Sequence, residues 1–124
     1  MTVRLIGYWG DETDDRWPKP HDLVDYTWDR GERERVASYL DQGFVPWSTP
    51  GVATCRICGR ANGSSEFTDG FYLWPEGLAH YVRDHSVRLP DEVLAHITRR
   101  VDELDSLSVD RDWWRTIRHS GPET

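Results

Sequence analysis

The amino-acid sequence predicts an α+β fold, a single compact domain with a short β-hairpin and three to four helices. Three observations lead there. Two β-prone runs, 65–68 and 71–74, flank Asp69-Gly70, a dipeptide that marks hairpin turns because glycine takes positive φ at no steric cost. Apolar residues recur at helical spacing before the hairpin (Val36, Tyr39, Leu40) and after it (Val93, Leu94, Ile97, Val101, Leu104). The chain has 124 residues, 37% of them hydrophobic, with seven tryptophans; that is one domain's length, with aromatics carrying much of the burial.

Each element follows in order. Val3 to Trp9 reads as a short strand, and the acidic run 11–15 after it as a solvated loop. Trp17-Pro18-Lys19-Pro20 reads as extended and non-helical, since each proline fixes its own φ and restricts the residue before it. Glu32 to Gln42 reads as a helix stopped by Gly43. Phe44-Val45-Pro46-Trp47 leads into a Ser48-Thr49-Pro50-Gly51 turn, which divides an N-terminal extension over residues 1–50 from a module over 51–90. A strand from Val52 runs into Cys55-Arg56-Ile57-Cys58-Gly59, and a loop at Asn62-Gly63 precedes the hairpin, whose Asp69-Gly70 predicts a type I′ turn. Pro75 to His85 reads as a helix, with proline in the tolerant first turn and Glu76 near the positive end. Residues 87–90 form an extended exit. Residues 91–124 form a helical segment in which Asp91 caps a helix to Leu104 and a last amphipathic turn from Asp110 buries Trp114 and Ile117. Residues 120–124 read as a frayed tail.

The chemistry gathers in one pattern. The two cysteines are spaced Cys55-x-x-Cys58, and His80 and His85 follow on the expected helix, giving C-x2-C-x21-H-x4-H. Two thiolates on a tight turn ending in Gly59 can point at one ion while backbone amides donate to them. Knuckle, hairpin and helix follow in the order of a zinc-finger-like unit of the ββα or treble-clef kind. The expected cofactor is one structural Zn2+ per chain held by Cys55, Cys58, His80 and His85. Five residues turn an ideal helix through about 140° beyond a full turn, so the histidines meet only if the last turn is distorted or His85 lies just past the helix end. Asp84, Asp69 and His96 are the reserve ligands. A buried reduced pair and a thioredoxin-like redox pair are the alternatives; a redox CxxC opens a helix, whereas Gly59, Asn62 and Gly63 break one here.

The segment from Trp74 to Pro90, following Cys55-Arg56-Ile57-Cys58-Gly59 and Ser65-Glu66-Phe67-Thr68-Asp69-Gly70, resembles a family of small uncharacterised bacterial proteins, and the likeness extends upstream through Gly7-Tyr8-Trp9 and Trp17-Pro18. The resemblance implies a Cys2His2 zinc site and no known reaction. The motif is also similar to zinc fingers of the ββα and treble-clef kinds. It departs from the DNA-reading finger in its longer Cys-to-His spacing and in the absence of Arg, Asn or Gln along Glu76-Gly77-Leu78-Ala79.

Charge and missing motifs order the function classes. The net charge is −7, with ten acids against six bases over residues 1–50, four against four over 51–90 and eight against five over 91–124. That disfavours nucleic acid and suits a protein partner with a basic surface. A zinc site filled by four protein ligands is structural, because catalysis needs an open position; the first reading is therefore a protein-interaction module. Trp17, Trp47 and Trp74, near prolines, are its candidate contacts, although most of these three rings are expected to fill the core instead. The second reading is a zinc hydrolase with Cys55, Cys58 and His80 as ligands and His85 or Glu76 acting on a metal-bound water. It lacks the deaminase pattern, since Thr54 precedes Cys55 and no Glu lies two residues after either histidine, and no catalytic residue is assigned. The third reading is nucleic-acid binding through Arg99, Arg100, Arg111, Arg115 and Arg118, with Trp113 stacking. Their interleaving with Asp102, Glu103, Asp105, Asp110 and Asp112 reads instead as a solvated ion-pair face. No apolar run approaches the roughly 18 residues of a membrane span, and the N-terminus lacks a signal peptide's apolar stretch, so a cytoplasmic protein is expected. The oligomeric state stays open.

Overall fold

The computed structural model describes residues 1–10, 16–48 and 51–117. The acidic run 11–15, Thr49 and Pro50 of the expected turn, Arg118 and the expected tail lie outside the described residues. The described residues form an α+β domain with four strands, β1 (Arg4–Leu5), β2 (Phe44–Ser48), β3 (Ser65–Thr68) and β4 (Tyr72–Pro75). Its helices are α1 (Arg30–Leu40), α2 (Leu78–His85), α3 (Asp91–Asp105) and the single turn α4 (Asp112–Arg115). The sheet order is β1-β4-β3-β2, with β1 parallel to β4 and the other pairs antiparallel.

The hairpin forms where the sequence places it, with Phe67 opposite Trp74 and Thr68 opposite Leu73. Its turn is not type I′, because Gly70 takes a left-handed φ of +90° and Asp69 does not. Instead Oδ1 of Asp69 accepts the N–H groups of Phe71 and Tyr72, each at 2.9 Å; a short carboxylate does locally what a second positive φ would have done. Pro75 ends β4 rather than starting α2, opposite Glu66. Oε1 of Glu76 then accepts from the N–H groups of Ser64 and Ser65 at 3.0 and 3.1 Å, which ties the end of β4 to the start of β3. Helix α2 therefore begins at Leu78.

Other boundaries move for equally local reasons. Asp29 starts α1 ahead of Glu32, its carboxylate accepting Glu32 N–H at 2.8 Å. In α3, Asp91 is the first helical residue and Pro90 holds the cap position. Pro20–Leu23 form one 3-10 turn rather than an extended path, with proline at the first position, where its fixed φ fits. The strand expected over Val3 to Trp9 shortens to β1. Residues 44–47, expected as a lead-in to a turn, belong to strand β2; at the sheet edge the missing N–H of Pro46 is tolerated, and the pairing with β3 is irregular between Phe44 and Trp47.

The core joins Trp28, Val36, Ala37 and Leu40 to Tyr72, Trp74, Leu78, Val82, Leu89, Val93, Leu94 and Ile97. Trp74 belongs there and not to an exposed contact surface; its indole N–H donates to the Leu40 carbonyl at 3.0 Å. The expectation that most of the three proline-adjacent rings fill the core is corrected: Trp17 and Trp47 are exposed, Trp47 because it stands on the edge strand β2. The expected burial of Trp114 and Ile117 is corrected: they are 70% and 54% exposed. An amphipathic pattern needs a facing surface, and α4 buries none of its residues; it stands on Asp110, which accepts the N–H groups of Asp112 and Trp113. Among the described residues no helix is long and apolar enough to cross a membrane.

Candidate metal centre

The connection between β2 and β3 carries both cysteines. A strand from Val52 was expected; the chain forms a narrow ribbon instead, with an isolated bridge between Thr54 and Ala61. Cys55 N–H donates to the Arg60 carbonyl, and Gly59 N–H to the Cys55 carbonyl, both at 2.8 Å. Gly59 takes φ +78° at the end of the turn, a conformation that favours glycine. This turn lays two amides on one sulfur, the N–H groups of Ile57 and Cys58 lying 3.4 and 3.5 Å from Cys55 Sγ. Burial pushes the Cys55 thiol up, but those amides together with the Cys58 and His80 side chains outweigh it and leave its pKa lowered. The ribbon docks on α2 through Tyr81, whose hydroxyl accepts Arg56 N–H at 2.8 Å and lies against the Cys55 sulfur. Cys55, Tyr81 and Val87 form a small apolar cluster around this contact.

Helix α2 supplies the histidines. His85 is its last residue, and Ser86 follows in the left-handed conformation at φ 53°. The Ser86 N–H reaches the Tyr81 carbonyl, five residues back instead of four, and Val87 N–H donates to the same oxygen at 3.1 Å. This widened last turn is the distortion that the H-x4-H spacing requires, and the two imidazole centroids come within 4.8 Å. Nδ1 of His80 donates to Asp84 Oδ2 at 2.7 Å, leaving its Nε2 3.3 Å from Cys58 Sγ. Nε2 of His85 is buried with no hydrogen-bond partner. Burial, and then the neighbouring His80, push the His85 imidazole pKa down, which keeps it neutral with a lone pair available.

One ligand atom from each of Cys55, Cys58, His80 and His85 lies within 4.8 Å of the others, close enough to hold a metal ion. A tetrahedral ion bound by two sulfurs and two imidazole nitrogens sets its donors about 3.3 to 3.8 Å apart, so small side-chain adjustments complete the geometry.

The reserve ligands separate. Asp69 and His96 are not in this cluster but pair with each other at 2.7 Å. Asp84 is not in the set of four donors either; it holds His80, a role the i,i+4 spacing on a helix could have signalled. Glu76 is engaged with Ser64 and Ser65. The arginines offered for nucleic acid include two local ion pairs, Arg100 with Glu103 at 2.7 Å and Arg115 with Asp112 at 3.0 Å. No protein-family model matches this chain, nor does any curated protein or solved structure.

Proposed function

We propose that Cys55, Cys58, His80 and His85 bind one zinc ion, and that the ion is structural, clamping the ribbon that joins β2 and β3 against α2. The observation that carries this reading is the convergence of four donors around a buried His85 Nε2 that has no protein partner; a buried nitrogen of this kind costs about 1–3 kcal/mol unless something satisfies it. Two thiolates and two imidazoles suit zinc. Asp84 supports the site by fixing the His80 tautomer, the usual role of a carboxylate behind a metal-bound histidine. Four protein donors fill a tetrahedron, which supports a structural ion over a hydrolytic one that needs a water position.

The module's task, in this reading, is to bind another protein. Phe44, Val45 and Trp47 are exposed on edge strand β2, and the net charge of −7 favours a partner with a basic surface. Such association should weaken with salt and with Trp47→Ala while zinc content stays unchanged. The deciding experiment is metal analysis of the purified protein with His85→Ala beside it. About one zinc per chain and a weakened affinity in the variant are expected. A folded, metal-free protein with a Cys55–Cys58 disulfide refutes the reading. Unchanged affinity with loss of a hydrolytic activity would favour the enzyme.

A further inference from the structure

The two sulfurs of the centre are protected very unequally. Cys55 is 1% exposed, accepts two backbone N–H groups and has the Tyr81 hydroxyl against it. Cys58 is exposed, and among the described residues its polar neighbours are ligands of the same cluster, with His80 Nε2 at 3.3 Å. Hydrogen bonds to a metal-bound sulfur draw off the electron density an electrophile would attack, and burial removes the approach path. A soft electrophile therefore meets one open sulfur and one closed one.

We propose that Cys58 is a modification site for peroxides and soft electrophiles, and that its attack releases the metal; the release rests on the zinc reading above. With hydrogen peroxide, the Cys58 thiolate attacks one peroxide oxygen, an S–O bond forms, the O–O bond breaks and hydroxide leaves, giving the sulfenic acid. The Cys55 thiolate, freed from the ion, attacks the Cys58 sulfur; an S–S bond forms, the S–O bond breaks and a second hydroxide leaves. The two thiolates are oxidised by two electrons and the peroxide is reduced to two hydroxides, which become water on taking up two protons. Of the four donors in the cluster, His80 and His85 remain, too few to retain zinc. Both sulfurs already belong to a cluster whose donor atoms lie within 4.8 Å of one another, which puts a disulfide bond of about 2.05 Å a short movement away.

The test uses the wild-type protein as purified, with zinc counted first. It is treated with one equivalent of N-ethylmaleimide while a chromogenic chelator reads free zinc, and then digested with trypsin. Cleavage after Arg56 puts Cys55 in the peptide 36–56 and Cys58 in the peptide 57–60, so mass spectrometry assigns the label to one cysteine. The peptide 57–60 should be labelled several-fold ahead of 36–56, with zinc appearing in step with the label. Peroxide should release zinc with loss of two hydrogen masses, and a reductant plus added zinc should restore the starting species. Tyr81→Phe, which strips the hydroxyl from Cys55, should raise the share of label on 36–56. Equal labelling of the two peptides, or label on Cys58 with zinc retained, overturns the proposal. A chain with no zinc at the outset overturns the metal reading separately and the release with it, while the labelling ratio still decides which thiol is reactive.

Discussion

Among the described residues histidine and aspartate meet twice at the same distance and with different consequences. His96 lies 2.7 Å from Asp69, with both side chains below one-tenth exposure; His80 lies 2.7 Å from Asp84, whose side chain is 55% exposed. In the first pair Asp69 also accepts from Tyr39 at 2.6 Å and from two backbone amides, and the second nitrogen of His96 faces Arg99. Every polar atom there is used within the protein, so the pair fastens the hairpin turn to α3. In the second pair the other nitrogen of His80 faces the Cys58 sulfur, inside a cluster where His85 Nε2 has no partner. A histidine's task is set by what its second nitrogen meets, since the first bond fixes only the tautomer.

The contrast can be broken from either side. The largest effect should follow removal of the proposed zinc, since structural zinc supplies about 10–16 kcal/mol in finger peptides. Chelation should expose the amides of Cys55 and Gly59 to hydrogen exchange while the core around Trp28 and Trp74 keeps its protection. Next comes Asp69→Ala, which strands His96 and Tyr39 without their acceptor and should cost about 1–3 kcal/mol per stranded group in denaturant unfolding with zinc stoichiometry unchanged; a coupled loss of metal would mean that the two pairs are not independent.

Asp84→Ala should lower zinc affinity about 10- to 100-fold in a chelator competition and leave the unfolding midpoint of the metal-free chain in place. The pH profile sharpens the same distinction. Burial raises the Asp69 pKa, but hydrogen bonds from Tyr39, the Tyr72 amide, His96 and the Phe71 amide outweigh it and hold the carboxyl below its usual range. A depressed carboxyl stabilises fully above its unfolded pKa of about 3.9 and loses that contribution as pH falls through the folded value. Tyr39 is pushed up to about 12 by burial and by Asp69, so its contribution is complete below the unfolded value of about 10 and is lost as pH rises through the folded one. Denaturant midpoints of metal-free Asp69→Asn should therefore show a weaker fall at both ends. The smallest effect belongs to Trp113→Ala and Trp114→Ala, which should shift stability by no more than about 0.5 kcal/mol, because both rings are exposed.

The candidate metal centre was legible in proportion to how local its parts are. Cys55 and Cys58 are three residues apart on one turn, and Asp84 is one helical turn from His80, so covalent spacing places them. The meeting of His80 with His85 depends on a widened helix end, which takes its form from Ser86 in a left-handed conformation, and serine carries no marker for that. Asp69 and His96 looked like spare ligands because they stand 27 residues apart and nothing local ties them. Strand β2 contains Pro46, which a central strand excludes and an edge strand tolerates, and the apolar period of α4 did not reveal that none of its residues is buried.

Spacing and residue type were enough for the α+β class, the hairpin, three of the helices and the two pairs of donors. Those features depend on interactions within a few residues, where chain geometry leaves few outcomes. Which donors share a point in space, which aspartate closes the core and which serves the metal pair, and which tryptophans lie in water came from packing between distant segments. Burial and the second partner of each polar atom are properties of surfaces brought together on folding, and neighbours along the chain do not encode them.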